Sequence, residues 1–215
     1  MARNPRINTT GVIFHTFARG NNREPVFLES SDYQRFLSNL DRYQKDLGYT
    51  LLAYSLMPNH FHVLLRTEKQ PLSKILQVLL TAHTMYFNKK HDRVGHVFGG
   101  RFKSIAVEKE TYLLEVVRYI HLNAVRAGLV ERVEEYPWSS YLKYLTAGSG
   151  TPFIATSEIL TMFSEDPVKQ KQLFSEFTLA GLGVDFDPFK KQLRGVLGGA
   201  RFMQEMTKVL HGVRP

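Results

Sequence analysis

Hydrophobic and polar positions alternate along the chain with two periods, and their order predicts the fold. Gly11-Val12-Ile13-Phe14-His15-Thr16-Phe17-Ala18 is β-branched and aromatic and predicts a first strand. Phe36, Leu40, Tyr43 and Leu47 recur at helical spacing behind Ser31-Asp32, an N-cap signal, and the helix should stop at Gly48. Residues 49–56 predict a second strand. The turn-forming pair Pro58-Asn59 then sends the chain back through His60-Phe61-His62-Val63-Leu64-Leu65, a third strand antiparallel to the second. Pro71-Leu72-Ser73 opens a second helix with a stripe of Leu72, Ile75, Leu76, Leu79 and Leu80 and a basic end at Lys89-Lys90-His91. Ile105-Ala106-Val107 fits a fourth strand. This order is the α+β, ferredoxin-like βαββαβ pattern, an antiparallel sheet with helices on one face.

A third helix follows from Thr111 to about Ala127, closed by Gly128. Its stripe of Leu113, Val116, Val117, Ile120 and Ala124 should pack on the sheet. Tyr119 and Asn123, one turn apart, fall on the margin of that stripe, whereas His121 points elsewhere and reads as a bystander. The turn-rich Gly148-Ser149-Gly150-Thr151-Pro152 marks a boundary between residues 1–148 and a C-terminal extension, residues 149–215. That extension reads as amphipathic helices over 157–163, 167–180, about 189–196 and 202–210, with no convincing strand.

Strand alternation places His60 and His62 on one face, close enough for a single metal ion to touch both rings. The bland alternative is a pair of satisfied polar residues on a half-buried strand. Cysteine is absent, so any metal is held by nitrogen and oxygen. The Asn123 amide supplies an oxygen, and Tyr119, alone among ten tyrosines in having Asn or Gln four residues later, would bring a phenol beside the ion. A divalent ion can draw charge from a phosphodiester and orient it for in-line attack by that phenol, giving a phosphotyrosine ester that another hydroxyl can resolve.

Charge sharpens the picture. The 215 residues carry 28 Lys+Arg against 20 Asp+Glu, a formal net charge of +8, which favours polyanionic partners. Arg19-Gly20-Asn21-Asn22-Arg23 is a turn flanked by cations, suited to phosphates or exposed base edges. Residues 1–6 show no apolar signal core, and no run of about 18 apolar residues could span a bilayer, so the cytoplasm is the expected location.

Five stretches, in order over roughly residues 8–145, resemble the REP-associated tyrosine transposases, members of the single-tyrosine branch of the HUH nucleases. They are Arg19-Gly20-Asn21-Asn22-Arg23, Leu56-Met57-Pro58-Asn59-His60-Phe61-His62, Gly100-Arg101-Phe102-Lys103-Ser104, Arg118-Tyr119-Ile120-His121-Leu122-Asn123 with Val125-Arg126-Ala127-Gly128, and Tyr136-Pro137-Trp138-Ser139-Ser140-Tyr141. The resemblance implies cleavage of single-stranded DNA beside a hairpin, a 5′-phosphotyrosine intermediate, and Mg²⁺ or Mn²⁺. By position it implies His60 and His62 as metal ligands, Asn123 as the third, Tyr119 as nucleophile, and a monomer rather than a dimer. The family often has Pro after that Asn, where this chain has Ala124. DNA contacts are expected from Arg19, Asn21, Arg23, Arg101, Phe102 and Lys103, cations with an aromatic that can stack unpaired bases. Trp138 reads as a packing residue. Two rival readings are a histidine phosphoesterase without a covalent tyrosine, which would want a second His-x-Thr or His-x-Ser that the other six histidines do not provide, and a non-catalytic nucleic-acid-binding module.

Overall fold

The computed structural model describes residues 6–146 and 153–210. Four strands carry the sheet: β1 (Ile13–Arg19), β2 (Tyr49–Met57), β3 (His60–Thr67) and β4 (Lys103–Val107). Helices α1 (Ser30–Leu47) and α2 (Leu72–Lys90) sit between them in sequence, and α3 (Lys109–Arg126) follows β4. The spatial order β2-β3-β1-β4, all antiparallel, is the expected ferredoxin-like arrangement.

Local chemistry sets the boundaries. Gly48 closes α1 at φ +61°, a left-handed conformation that costs glycine little. The start of α1 differs from the expectation. Glu29 occupies the N-cap, and Asp32 sits two residues into the helix, taking the amide hydrogens of Leu28 (2.8 Å) and Glu29 (3.0 Å). Asp32 is fully buried, with its charge compensated by Lys90 at 3.0 Å and a further hydrogen-bond contact from His91 Nε2 at 3.1 Å, both at the end of α2. That cluster ties the start of α1 to the end of α2.

Phe61, Val63 and Leu65 of β3 point to one side of the sheet, where Phe61 meets Phe36 of α1 at 5.0 Å between centroids. On the other side lies α3, with Leu113, Val116, Val117, Ile120 and Ala124 buried. Each such side chain larger than alanine contributes about 1.5–3 kcal/mol by leaving water, so this helix is a firm support for whatever it carries. It runs unbroken through Ala124. Trp138 stacks on Tyr33 at 4.4 Å and 12°, and bystander His121 is buried against Ser140 Oγ at 2.8 Å.

The C-terminal segment contradicts the helix-only expectation. Beyond α4 (Tyr141–Leu145), it holds α5 (Thr156–Leu160), α6 (Pro167–Ala180), α7 (Pro188–Lys191) and α8 (Ala200–Leu210). The expected helix over 189–196 stops after one turn. The chain reverses at Gly195, φ +83°, and Val196–Leu197 form a fifth strand, β5, parallel to β4. Two residues are too short for any period to register. Ile154, Ile159, Leu160, Phe174, Val196 and Leu197 join the main core. The turn-rich stretch over 148–152 lies outside the described residues. No helix among the described residues is long and apolar enough to cross a membrane.

Candidate active site

Residues directly opposed in an antiparallel pair share a face of the sheet. His60 opposes Arg19, His62 opposes Phe17 and Leu64 opposes His15. One face therefore carries His60 and His62 beside Arg19, Phe17 and His15, and α3 lies over it. A cavity of about 360 Å³ opens there, lined among others by Arg19, His60, His62, Lys103, Tyr119 and Asn123. The four residues expected to carry the chemistry thus line one cavity within one chain. The Tyr119 ring meets His62 edge-on at 5.6 Å between centroids, and the His60 and His62 rings are 5.2 Å apart and nearly perpendicular.

Hydrogen bonds orient the rings. His60 Nδ1 donates to Asn59 Oδ1 at 2.6 Å, and the Asn59 amide nitrogen is spent on the Arg23 carbonyl at 3.3 Å. His62 Nδ1 lies 2.9 Å from His15 Nε2. On both rings Nε2 makes no hydrogen bond among the described residues, the condition a ligating nitrogen needs. Asn123 spends its amide hydrogens on the carbonyls of Tyr119 (2.8 Å) and Ile120 (3.5 Å), which leaves its oxygen for the cavity.

Burial sets the protonation state of the rings. Burial lowers the His60 pKa to about 4, with Arg19 adding to the effect. The pKa of His62 falls well below its ordinary value through burial first, then through its neighbours His15, His60 and Arg19. Both rings are neutral at pH 7, so each keeps one nitrogen as a lone pair beside its one N–H. Burial, reinforced by Asp187, raises Tyr119 to about 12, while Arg126 and Arg19 pull the other way. The phenol rests in its protonated form until something acts on it.

The donor set of two imidazoles and one amide oxygen fits a divalent cation. No group of three or more His, Cys, Asp or Glu with metal-holding geometry exists among the described residues.

The expected DNA-contacting residues divide. Gly20 and Phe98 form a β-bridge, the Asn21 amide donates to Val97 O at 2.9 Å and Gly99 N to Arg19 O at 2.9 Å. These bonds join the 19–23 turn to the glycine-rich loop before β4. A side chain at Gly20 would run into the Glu24 carbonyl, so the tight turn requires glycine. Arg19, Asn21, Arg23, Arg101 and Lys103 are all exposed around this junction. Phe102 is different. It is 8% exposed, and the Arg6 guanidinium covers its ring at 4.3 Å while donating to its carbonyl. Its face is occupied, which corrects the expectation that it stacks on unpaired bases.

Three neighbours were not anticipated. His15 is fully buried behind His62, and Asp187 and Phe189 come from the C-terminal segment to line the cavity. Arg126, two turns beyond Tyr119 on α3, holds that segment by donating to the carbonyls of Gly181 (3.0 Å) and Val184 (2.9 Å). The alternation of β1 places His15 on the face of Phe17 and Arg19, so pairing β1 with β3 would have found it. Nothing local marks Asp187 or Phe189.

Residues 8–123, more than half of the chain, match the family model for IS200-like transposases. The chain belongs to the IS200-like transposase family. A transposase of this family is a DNA-cleaving enzyme, and the cavity under α3 is the place to look for that chemistry. The fold is similar to that of a REP-associated tyrosine transposase solved bound to a REP hairpin, with a TM-score of 0.58 and 18% identity over 70% of this chain and 89% of that one. A putative transposase from Deinococcus radiodurans aligns at a TM-score of 0.39 and 16% identity over 56% of this chain and 94% of that one. No curated protein matches the chain in sequence.

Proposed function

We propose that this transposase cuts and rejoins single-stranded DNA beside a hairpin through a 5′-phosphotyrosine formed on Tyr119, with a divalent cation held by His60, His62 and Asn123. The observation that carries the proposal is the shared cavity: a phenol, an amide oxygen and two neutral imidazoles with unengaged Nε2 atoms line the same space.

The chain's own groups account for most of the reaction. Tyr119 is held by a packed helix, so its oxygen meets the scissile phosphate at little entropic cost. Attack forms the Tyr119 Oη–P bond and breaks the P–O3′ bond, and the phenolic proton ends on the released 3′-oxygen. Arg126, 5.6 Å over the Tyr119 ring, and Arg19 favour the phenolate character that develops. A Mg²⁺ or Mn²⁺ ion, when bound, supplies Lewis-acid polarisation of a non-bridging phosphate oxygen. The exposed Arg19, Arg23, Arg101 and Lys103 offer phosphate contacts along the rim. A similar fold was solved with a REP hairpin, and the same class of DNA is the substrate proposed here. Because Tyr119 packs against His62 of its own chain, one copy completes the site, which supports a monomer acting in cis.

The test is a hairpin oligonucleotide with single-stranded flanks, labelled at its 3′ end and incubated with protein and Mn²⁺. A labelled protein–DNA adduct that survives denaturing electrophoresis is expected, absent with chelator and in Tyr119→Phe. Cleavage that persists in Tyr119→Phe would contradict the covalent route.

A further inference from the structure

His15 is 0% exposed, and its Nε2 lies 2.9 Å from Nδ1 of His62. One proton lies between those nitrogens, and which ring owns it decides what His62 shows the cavity. If His15 donates, His62 must carry its own proton on Nε2 and cannot ligate there. If His62 donates, its Nε2 presents a lone pair. Three cationic side chains, Arg19, Lys103 and Arg126, line that cavity. Their field favours a lone pair at Nε2 over an N–H dipole pointing at them. The other nitrogen of His15, Nδ1, is buried without a hydrogen-bond partner. The ring lies 4.8 Å from Phe189 and 5.8 Å from Tyr119 between centroids, two rings that themselves line the cavity. The cavity's charges select one arrangement: His62 protonated on Nδ1, the hydrogen bond running from His62 to His15, and the proton of the neutral His15 on its own Nδ1.

We infer that His15 is a positioning residue for the metal site, accepting the Nδ1 hydrogen of His62 and so fixing its ring with Nε2 bare toward the cavity. Asn59 does the same for His60 through its side-chain oxygen. The pair is thus aimed by two different acceptors, one at the solvent rim and one in the core. This inference rests on the metal reading of the site.

Two measurements test it without using activity. Nitrogen-15 spectra of the metal-free protein should show His62 protonated at Nδ1 and bare at Nε2. Mn²⁺ binding, followed by the electron paramagnetic resonance of the free ion, should weaken about 10- to 100-fold in His15→Leu. Affinity should recover toward wild type in His15→Gln, whose amide oxygen can accept the same hydrogen. A His62 protonated at Nε2 would overturn the inference even if His15→Leu failed to fold. So would a folded His15→Leu that binds Mn²⁺ as tightly as the wild type. If the wild type binds Mn²⁺ and His60→Ala loses it, the metal reading stands whatever His15 does. A wild type that takes up no Mn²⁺ overturns both.

Discussion

The two faces of the sheet both bury histidine, and they use it in opposite ways. On the side of α1 and α2, His83 of α2 is fully buried among Phe27, Phe36 and Phe87, and its Nε2 reaches the Val26 carbonyl at 2.8 Å. Under α3, His60 and His62 make their hydrogen bonds through Nδ1 and leave Nε2 open to a cavity. A buried imidazole whose outward nitrogen is tied to backbone is part of the packing. Two whose outward nitrogens open on a cavity shared with a phenol and an amide side chain are left free of the packing. Burial alone does not separate these cases, because it lowers the pKa of His83 and His62 alike.

Breaking the comparison at its most sensitive point means removing the phenolic oxygen. Tyr119→Phe should lower adduct formation at least about 10⁴-fold, as loss of a nucleophile does, and leave the melting temperature near wild type. The opposite face should respond in the other currency. Phe36→Ala empties a site 1% exposed and should cost about 3–5 kcal/mol of stability, read by urea unfolding, while the protein that remains folded keeps its cleavage rate. His60→Ala should weaken nicking by more than about 100-fold, beyond what loss of a mere supporting group costs, with DNA binding in filter assays much less affected.

A pH titration sharpens the contrast from the side the two faces share. Burial lowers the pKa of His15 and His121 to about 3 and also lowers those of His62 and His83. Below the unfolded value near 6.5 the unfolded chain takes up protons that the folded chain refuses. Stability from these groups is therefore complete above pH 6.5 and is lost as pH falls through the interval down to the folded values. Each contributes a slope of up to about 1.4 kcal/mol per pH unit, checked by urea midpoints between pH 7 and 5. The smallest expected effect is Asn123→Ala, about tenfold in Mn²⁺ affinity, since water can replace an amide oxygen.

Much of this was legible in the sequence for a physical reason: strands and helices that bury one face must repeat their apolar residues at period two or 3.6. Strands β1 to β4, the three large helices and the placing of Tyr119 and Asn123 one turn apart all follow from that. His60 and His62 announce themselves by spacing. His15 does not, because a single histidine in an apolar strand acquires meaning only once β1 is paired with β3. Asp187 and Phe189 reach the cavity through a fold-back held by Arg126, a contact between residues about 60 apart that no local pattern encodes. Phe102 looked like a base-stacking ring because its neighbours are cationic, and Arg6, from the far end of the chain, covers it.

The proposed meeting of one phenol, one amide and two imidazoles at a shared ion is open to direct observation. Crystals soaked in Mn²⁺ and measured at the manganese edge should show one anomalous peak bounded by His60 Nε2, His62 Nε2 and Asn123 Oδ1, with the Tyr119 hydroxyl beside it. A peak confined to Asp187 or the protein surface, or none within reach of both rings at saturating Mn²⁺, would contradict the account.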